Sequence, residues 1–152
     1  MQTTLNEGGF AASAARLRLA IVRTARRLRQ EAAVGAGAEL TPTATSALAS
    51  VERHGPLTPS ELAEIERVKR PTATRVLRSL VDAGLVERTP DPADGRSALV
   101  SVNAAGRERL RRLRGRKNAY LARRMRDLPA GDVATLERAA EILEDMLEDE
   151  RR

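Results

Sequence analysis

Residues 57–106 read LTPSELAEIERVKRPTATRVLRSLVDAGLVERTPDPADGRSALVSVNAAG, and a change of period inside this stretch decides the fold. Thr58-Pro59-Ser60-Glu61 is a helix start: Thr at the cap and Glu three residues later satisfy one another's free amides. Leu62, Ala63 and Ile65 give this short helix a side to bury, and the chain turns near Val68-Lys69-Arg70. Pro71 suits the first position of a second helix, which stops at Gly84. Beyond Gly84 the pattern becomes alternating. Leu85-Val86-Glu87-Arg88-Thr89 and Ser97 to Val102 flank a Pro/Asp/Gly-rich segment from Pro90 to Gly95, which predicts a hairpin.

Two short helices with a tight turn, followed by a two-stranded hairpin, make a winged helix-turn-helix when the second helix presents a polar, basic face. At ~100° per residue, Ala73, Val76, Leu77, Leu80, Val81 and Gly84 fall on one side of that helix. Thr72, Arg75, Arg78, Ser79 and Asp82 fall on the other. Arg75 and Arg78 have the chemistry to donate to guanine edges or phosphates, and Thr72 and Thr74 to meet phosphates or a thymine methyl. The helix start beside Lys69 and Arg70 is expected to aim free amides at a phosphate. In the hairpin, Arg88 and Arg96 bracket a loop holding Asp91 and Asp94, and an arginine at such a tip suits a narrow minor groove. Asp94 is expected to hold the Arg96 guanidinium in one geometry; the plainer alternative is that Asp94-Gly95 supplies turn chemistry. The expected DNA-binding set is therefore Arg70, Thr72, Thr74, Arg75, Arg78, Arg88, Asp94 and Arg96. An acidic protein docking on the same basic face is the competing expectation.

Working outward, Ala11 to Ala33 has a helical pattern with Leu17, Ile21 and Leu28 on one stripe, ended by Gly35 to Ala38, while Met1 to Gly9 is expected to fray. Thr41-Pro42 starts another helix, carrying Leu48 and Val51 to the stop at Gly55-Pro56. Asn103 caps a long arginine-rich helix to about Asp127, and Leu128 to Gly131 separates it from an acidic last helix striped by Val133, Leu136, Ala140, Leu143 and Leu147. The terminal stripes need partners that one small winged domain does not supply. A dimer is expected, with Leu17, Ile21, Leu28, Leu136, Leu143 and Leu147 in its interface. The predicted organisation is an N-terminal dimerisation helix over 11–40, a winged helix-turn-helix over 41–102 and C-terminal dimerisation helices over 103–152. The fold class is mainly α with a small β-hairpin wing.

Composition fits this reading. With one Phe and one Tyr in 152 residues, the core must be aliphatic. A net charge of +6 favours a polyanionic partner such as double-stranded DNA. The absence of cysteine excludes disulfides, thiolate metal sites and thiol oxidation. The single histidine, His54, precedes a helix-ending glycine and is read as a helix C-terminal residue, not a ligand. No metal, cofactor or enzymatic machinery is expected, and no signal or membrane span, which places the expected chain in the cytoplasm.

The stretch from Leu57 to Gly106 resembles the MarR family of transcription regulators. The matching residues are Leu62-Ala63, Thr72-Ala-Thr-Arg75, Leu80 with Gly84-Leu85-Val86-Glu87-Arg88, Asp94-Gly-Arg96 in the wing, and Asn103-Ala-Ala-Gly106. The resemblance implies an obligate homodimer formed by the first and last two helices, a recognition helix in the major groove and a wing arginine in the minor groove. It further implies a repressor on a pseudo-palindromic operator that answers a small effector, for which aliphatic and arginine side chains suggest an anionic lipophile. Arg70-Pro71 departs from the family's usual start to the recognition helix, so base preference does not carry over, and without cysteine the peroxide-sensing mechanism does not either.

Overall fold

A computed structural model describes residues 7–34 and 40–149. Its elements run α1 (Glu7–Ala33), α2 (Pro42–His54), α3 (Pro59–Ile65), α4 (Arg70–Asp82), β1 (Val86–Pro90), β2 (Ala98–Val102), α5 (Ala104–Arg126) and α6 (Ala130–Asp149). The chain divides into compact units Met1–Lys117 and Asn118–Arg152, with α5 running from the first into the second. The helix starting at Glu7 is longer than the expected one from Ala11. The first six residues and the glycine-containing segment 35–39 lie outside the described residues.

Each winged-domain element starts and stops for a local reason. Thr41 Oγ1 accepts the Ala44 N–H at 3.1 Å and Pro42 occupies the first turn of α2. The capping box at α3 is complete: Glu61 N–H donates to Thr58 Oγ1 at 3.2 Å, and Thr58 N–H donates to Glu61 Oε2 at 2.7 Å. At the end of α4, Gly84 adopts φ 69, while its N–H reaches Val81 O and the Leu85 N–H reaches Leu80 O. That is a Schellman closure, which needs a residue free to enter the left-handed region. The α3–α4 turn has no glycine for this purpose, and Arg67 takes φ 52 instead. A non-glycine there costs on the order of 1 kcal/mol. Ser46 and Ser50 of α2 both donate to the carboxylate of the neighbouring Glu66, Ser46 at 2.7 Å, and tether the turn.

Helices α2, α3 and α4 and the hairpin enclose an aliphatic cluster in which Leu48 and Leu80 are wholly withdrawn from solvent. Ala73, Leu77 and Leu80 are its buried contribution from α4; Val76 and Val81 pack against it half-buried, and Gly84 stays exposed. Ile65, expected inside, is 40% exposed because α3 ends there. The strands pair antiparallel, Val86 opposite Val102 and Pro90 opposite Ala98. Leu57 adds an unexpected single-residue bridge, exchanging hydrogen bonds with Val100 at 2.9 and 2.8 Å, which joins the α2–α3 connection to the wing. Two arginines of α5 fasten other helices. Arg114 Nη2 lies 2.6 Å from Glu52 of α2, and Arg116 donates to the carbonyls of Ala32 and Val34 at the end of α1.

Removing the Thr58 cap through Thr58→Ala is expected to cost about 1 kcal/mol, measured by urea unfolding. The Thr58 N–H, and secondarily its hydroxyl, hold the Glu61 carboxyl below its ordinary pKa. A depressed folded pKa gives stability that is present above the unfolded value and lost as pH falls through the folded one. The advantage of wild type over Glu61→Ala should thus be steady near neutrality and shrink on acidification below the ordinary glutamate range. An advantage that grew in acid would contradict the capping box.

Candidate nucleic-acid interface

The outward side of α4 carries Arg70, Thr74, Arg75 and Arg78, all exposed, while Thr72 is half-buried. Leu77 and Leu80 fix this orientation, since turning the helix about its axis would lift them out of the core. Ser79 stays on the outward side but its hydroxyl is engaged, donating to Val76 O at 2.7 Å. The first turn of α4 differs from expectation. Lys69 is its N-cap without a side-chain cap, Pro71 has no N–H, and the Thr72 N–H donates to Lys69 O at 2.9 Å. A phosphate there would meet the Arg70 amide and the Lys69 and Arg70 side chains, not a row of free amides.

Arg78, Thr74 and Leu77 of α4 line a crevice of about 90 Å³ together with Arg88 of β1, Ala98 and Val100 of β2, and Pro59. The fold thereby brings Thr74, Arg78 and Arg88 to one place. Arg70 and Arg75 lie elsewhere on α4, and Arg96 sits exposed in the loop between the strands.

That loop corrects the expectation for Asp94. Its Oδ1 accepts the Arg96 backbone N–H at 3.0 Å, not the guanidinium, and its carbonyl accepts the Ser97 N–H. Asp91 does the same, accepting the Ala93 N–H at 2.9 Å, while its own N–H reaches Ser97 O at 3.1 Å. Both aspartates fold the tip as Asx turns. The short side chain closes a local ring more readily than it reaches a flexible guanidinium two residues away.

Several arginines elsewhere in the chain are paired with carboxylates. Arg114 is ion-paired with Glu52, Arg111 and Arg112 with Glu108, and Arg27 with Glu31. Among the described residues no carboxylate pairs with Arg70, Arg75, Arg78, Arg88 or Arg96. Their charge faces solvent uncompensated on α4 and the hairpin, the condition for displacing counterions from a polyanion.

A second concavity was foreseen only in kind. An open groove of about 640 Å³ lies between the last turns of α1, the start of α2 and the middle of α5. Its apolar floor includes Leu28, Ala32, Leu40 and Leu113, and among the described residues Arg26, Arg29, Arg109 and Lys117 line it without a carboxylate. Leu28, expected in a dimer interface, is half-buried in this wall. Leu17 and Ile21 are 46% and 44% exposed, Leu136 and Leu147 are 47% and 60% exposed, and Leu143 is half-buried.

The model of the MarR family matches residues 40–98. An HTH-type transcriptional regulator of Mycobacterium bovis is 37% identical over 127 residues, covering 84% of this chain and 87% of that protein. The multiple antibiotic resistance protein MarR of Salmonella typhimurium is 33% identical over 100 residues, covering 65% of this chain and 69% of its own length. The structure of wild-type MarR from E. coli in its apo form superposes with a TM-score of 0.69 at 26% identity, over 86% of this chain and 95% of that one.

The wing geometry yields a direct test. In Asp94→Ala the Arg96 amide should exchange with solvent faster by about an order of magnitude, the scale of one lost hydrogen bond. Asp94→Asn, which keeps the acceptor, should leave that rate unchanged in hydrogen-exchange NMR. Equal rates in both variants would remove Asp94 from the turn.

Proposed function

The chain belongs to the MarR family of helix-turn-helix transcription regulators, and on that basis we propose that it represses transcription as a homodimer on a pseudo-palindromic operator. The observation that carries this reading is the set of arginines on α4 and the wing, Arg70, Arg75, Arg78, Arg88 and Arg96, all exposed and unpaired with any carboxylate among the described residues. Arg75 and Arg78 reach base edges in the major groove, and Thr72, Thr74, Arg70 and Arg88 meet flanking phosphates. Arg96 enters the minor groove, where negative potential is focused, and Asp94 shapes the loop that presents it. Occupying both half-sites, about 10 bp apart, requires two such domains.

The dimer is supported by the exposed apolar residues of α1 and α6. Phe10, Leu17, Ile21 and Val22 on α1, and Leu136, Ile142, Met146 and Leu147 on α6, are each at least 44% exposed in the single chain. Large apolar residues left exposed along each of these helices support an association face on it. No helix among the described residues is long and apolar enough to cross a membrane, so a bilayer-spanning role for these helices has no support.

The groove between α1, α2 and α5 suits an anionic lipophile as effector: its floor is aliphatic, and its charged lining among the described residues is cationic. It also includes Ser46, the residue hydrogen-bonded to Glu66 in the turn before α4, which offers a path from occupancy to the recognition helix.

Selection from a random duplex pool at near-physiological salt, with the protein's mass checked by light scattering, tests the main reading. It should enrich an inverted repeat at twice the chain mass. Arg75→Ala or Arg96→Ala should then weaken operator binding by about 1–3 kcal/mol with the dimer intact. A dimer that enriches no sequence would point instead to an acidic protein partner, and a monomer would sink the symmetric mode. For the effector, saturation with 1-naphthoate should raise unfolding stability by about 2–3 kcal/mol at a hundredfold excess over Kd, and Arg29→Ala should abolish most of that gain. No stabilisation by this or related aromatic acids would favour a constitutive binder.

A further inference from the structure

Asn103 lies between the end of β2 and the start of α5, where a cap for the long helix is all that the sequence requires. It does provide the cap, since its Oδ1 accepts the Gly106 N–H at 2.9 Å. The other half of the same amide is spent elsewhere. Asn103 Nδ2 donates to the carbonyl of Gly84 at 2.9 Å, nineteen residues back in the chain. Its backbone N–H reaches Leu85 O at 3.3 Å. Both carbonyls leaving the recognition helix are therefore held by one residue.

The surroundings leave no slack at this point. A Cβ on Gly106 would stand 2.2 Å from Leu85 O and 2.7 Å from a Val102 methyl, so the first turn of α5 presses directly on the link between α4 and β1. Gly84 is the weakest part of that link, because it sits at φ 69 with no Cβ and nothing within 4 Å of where one would be. Val86 and Val102, the roots of the two wing strands, face each other immediately beyond it. The end of the recognition helix, the base of the wing and the start of α5 thus converge on the Asn103 side chain.

We propose that Asn103 is a positioning residue that joins the recognition helix and the wing into one rigid reader, so that major-groove and minor-groove contacts are made at a fixed separation. The proposal rests on the reading that Arg75 acts from α4 and Arg96 from the wing. Its chemical signature is that a cap alone would be served as well by Ser, Thr or Asp, whereas only the carboxamide both accepts from Gly106 and donates to Gly84. DNA offers its two grooves at a spacing set by the duplex, and a hinge at Gly84 would make each docking event order the wing afresh.

Asn103→Ser separates the two jobs, because serine is neutral and keeps a cap acceptor but is too short to reach Gly84. The dimer and its melting temperature should be retained. Operator affinity should fall about tenfold, the scale of one mismatched base pair, with affinity for unrelated duplex unchanged. In that background Arg96→Ala should cost clearly less than in wild type, since an unanchored wing no longer delivers its arginine. Equal operator affinity, with an equal Arg96→Ala penalty in both backgrounds, would overturn the proposal. If Arg96→Ala has no effect even in wild type, the contact reading has failed, and the clamp is judged without DNA. Residual dipolar couplings from α4 and the hairpin should fit one alignment tensor in wild type and require two in Asn103→Ser. A single tensor for the variant would also overturn it.

Discussion

Leu48 and Leu80 are fully withdrawn from solvent inside the cluster shared by α2, α3, α4 and the hairpin, and the placement of every proposed DNA contact depends on that burial. An α-helix that commits Ala73, Leu77 and Leu80 inward has no rotational freedom left. Its remaining positions, with Arg75 and Arg78 among them, are then outward by geometry. Burying one such leucine contributes about 1.5–3 kcal/mol. Holding the recognition helix in register is therefore comparable in energy to one or two specific base contacts. The wing depends on the same cluster through Val86 and Val100, and the Leu57–Val100 backbone pair stitches it to the α2–α3 connection.

Part of the positive charge has a structural use. Arginines that serve the scaffold find partners within the chain: Arg114 takes Glu52, Arg116 the end carbonyls of α1, and Arg107 the carbonyl of Val102. Exposed pairs of this kind stabilise by no more than about 1 kcal/mol each, so their value here is geometric. The arginines of α4 and the wing have no such partner, and the aspartates nearest Arg96 are occupied with backbone amides.

Helix α1 bears on the proposed response to a ligand. Helix α1 is exposed along most of its length and turns inward only in its last turns, where Ala32 is buried and Leu28 lines the cationic groove. One helix thus carries both the exposed apolar residues proposed to associate and part of an open cleft. The cleft adjoins Ser46, Ser46 binds Glu66, and Glu66 precedes Arg67 with its left-handed φ. A turn held in a costly conformation by side-chain tethers is a place where a modest perturbation moves the helix that follows.

Local chemistry made much of this legible in the residues alone. The Thr58/Glu61 box, the prolines at helix starts, the stop at Gly84 and the alternation of the hairpin each depend on neighbours within a few positions, and each appears where the pattern puts it. The same holds for the outward arginines of α4, because a helix fixes which residues share a face. What the sequence could not decide were the interactions spanning long separations: the Leu57–Val100 bridge, the tether from Glu66 to α2, the Arg116 contacts with α1 and the reach of Asn103 to Gly84. Ile65 was misassigned for that reason, since which apolar residue finds cover depends on the element that arrives opposite it. Asp94 erred in the other direction, the backbone amide two residues on being nearer than any guanidinium. Periodicity and capping are properties of a short segment and can be read from it. Which segments meet, and which donor finds which carbonyl across them, is settled only when the aliphatic core closes and brings distant parts of the chain to hydrogen-bonding distance.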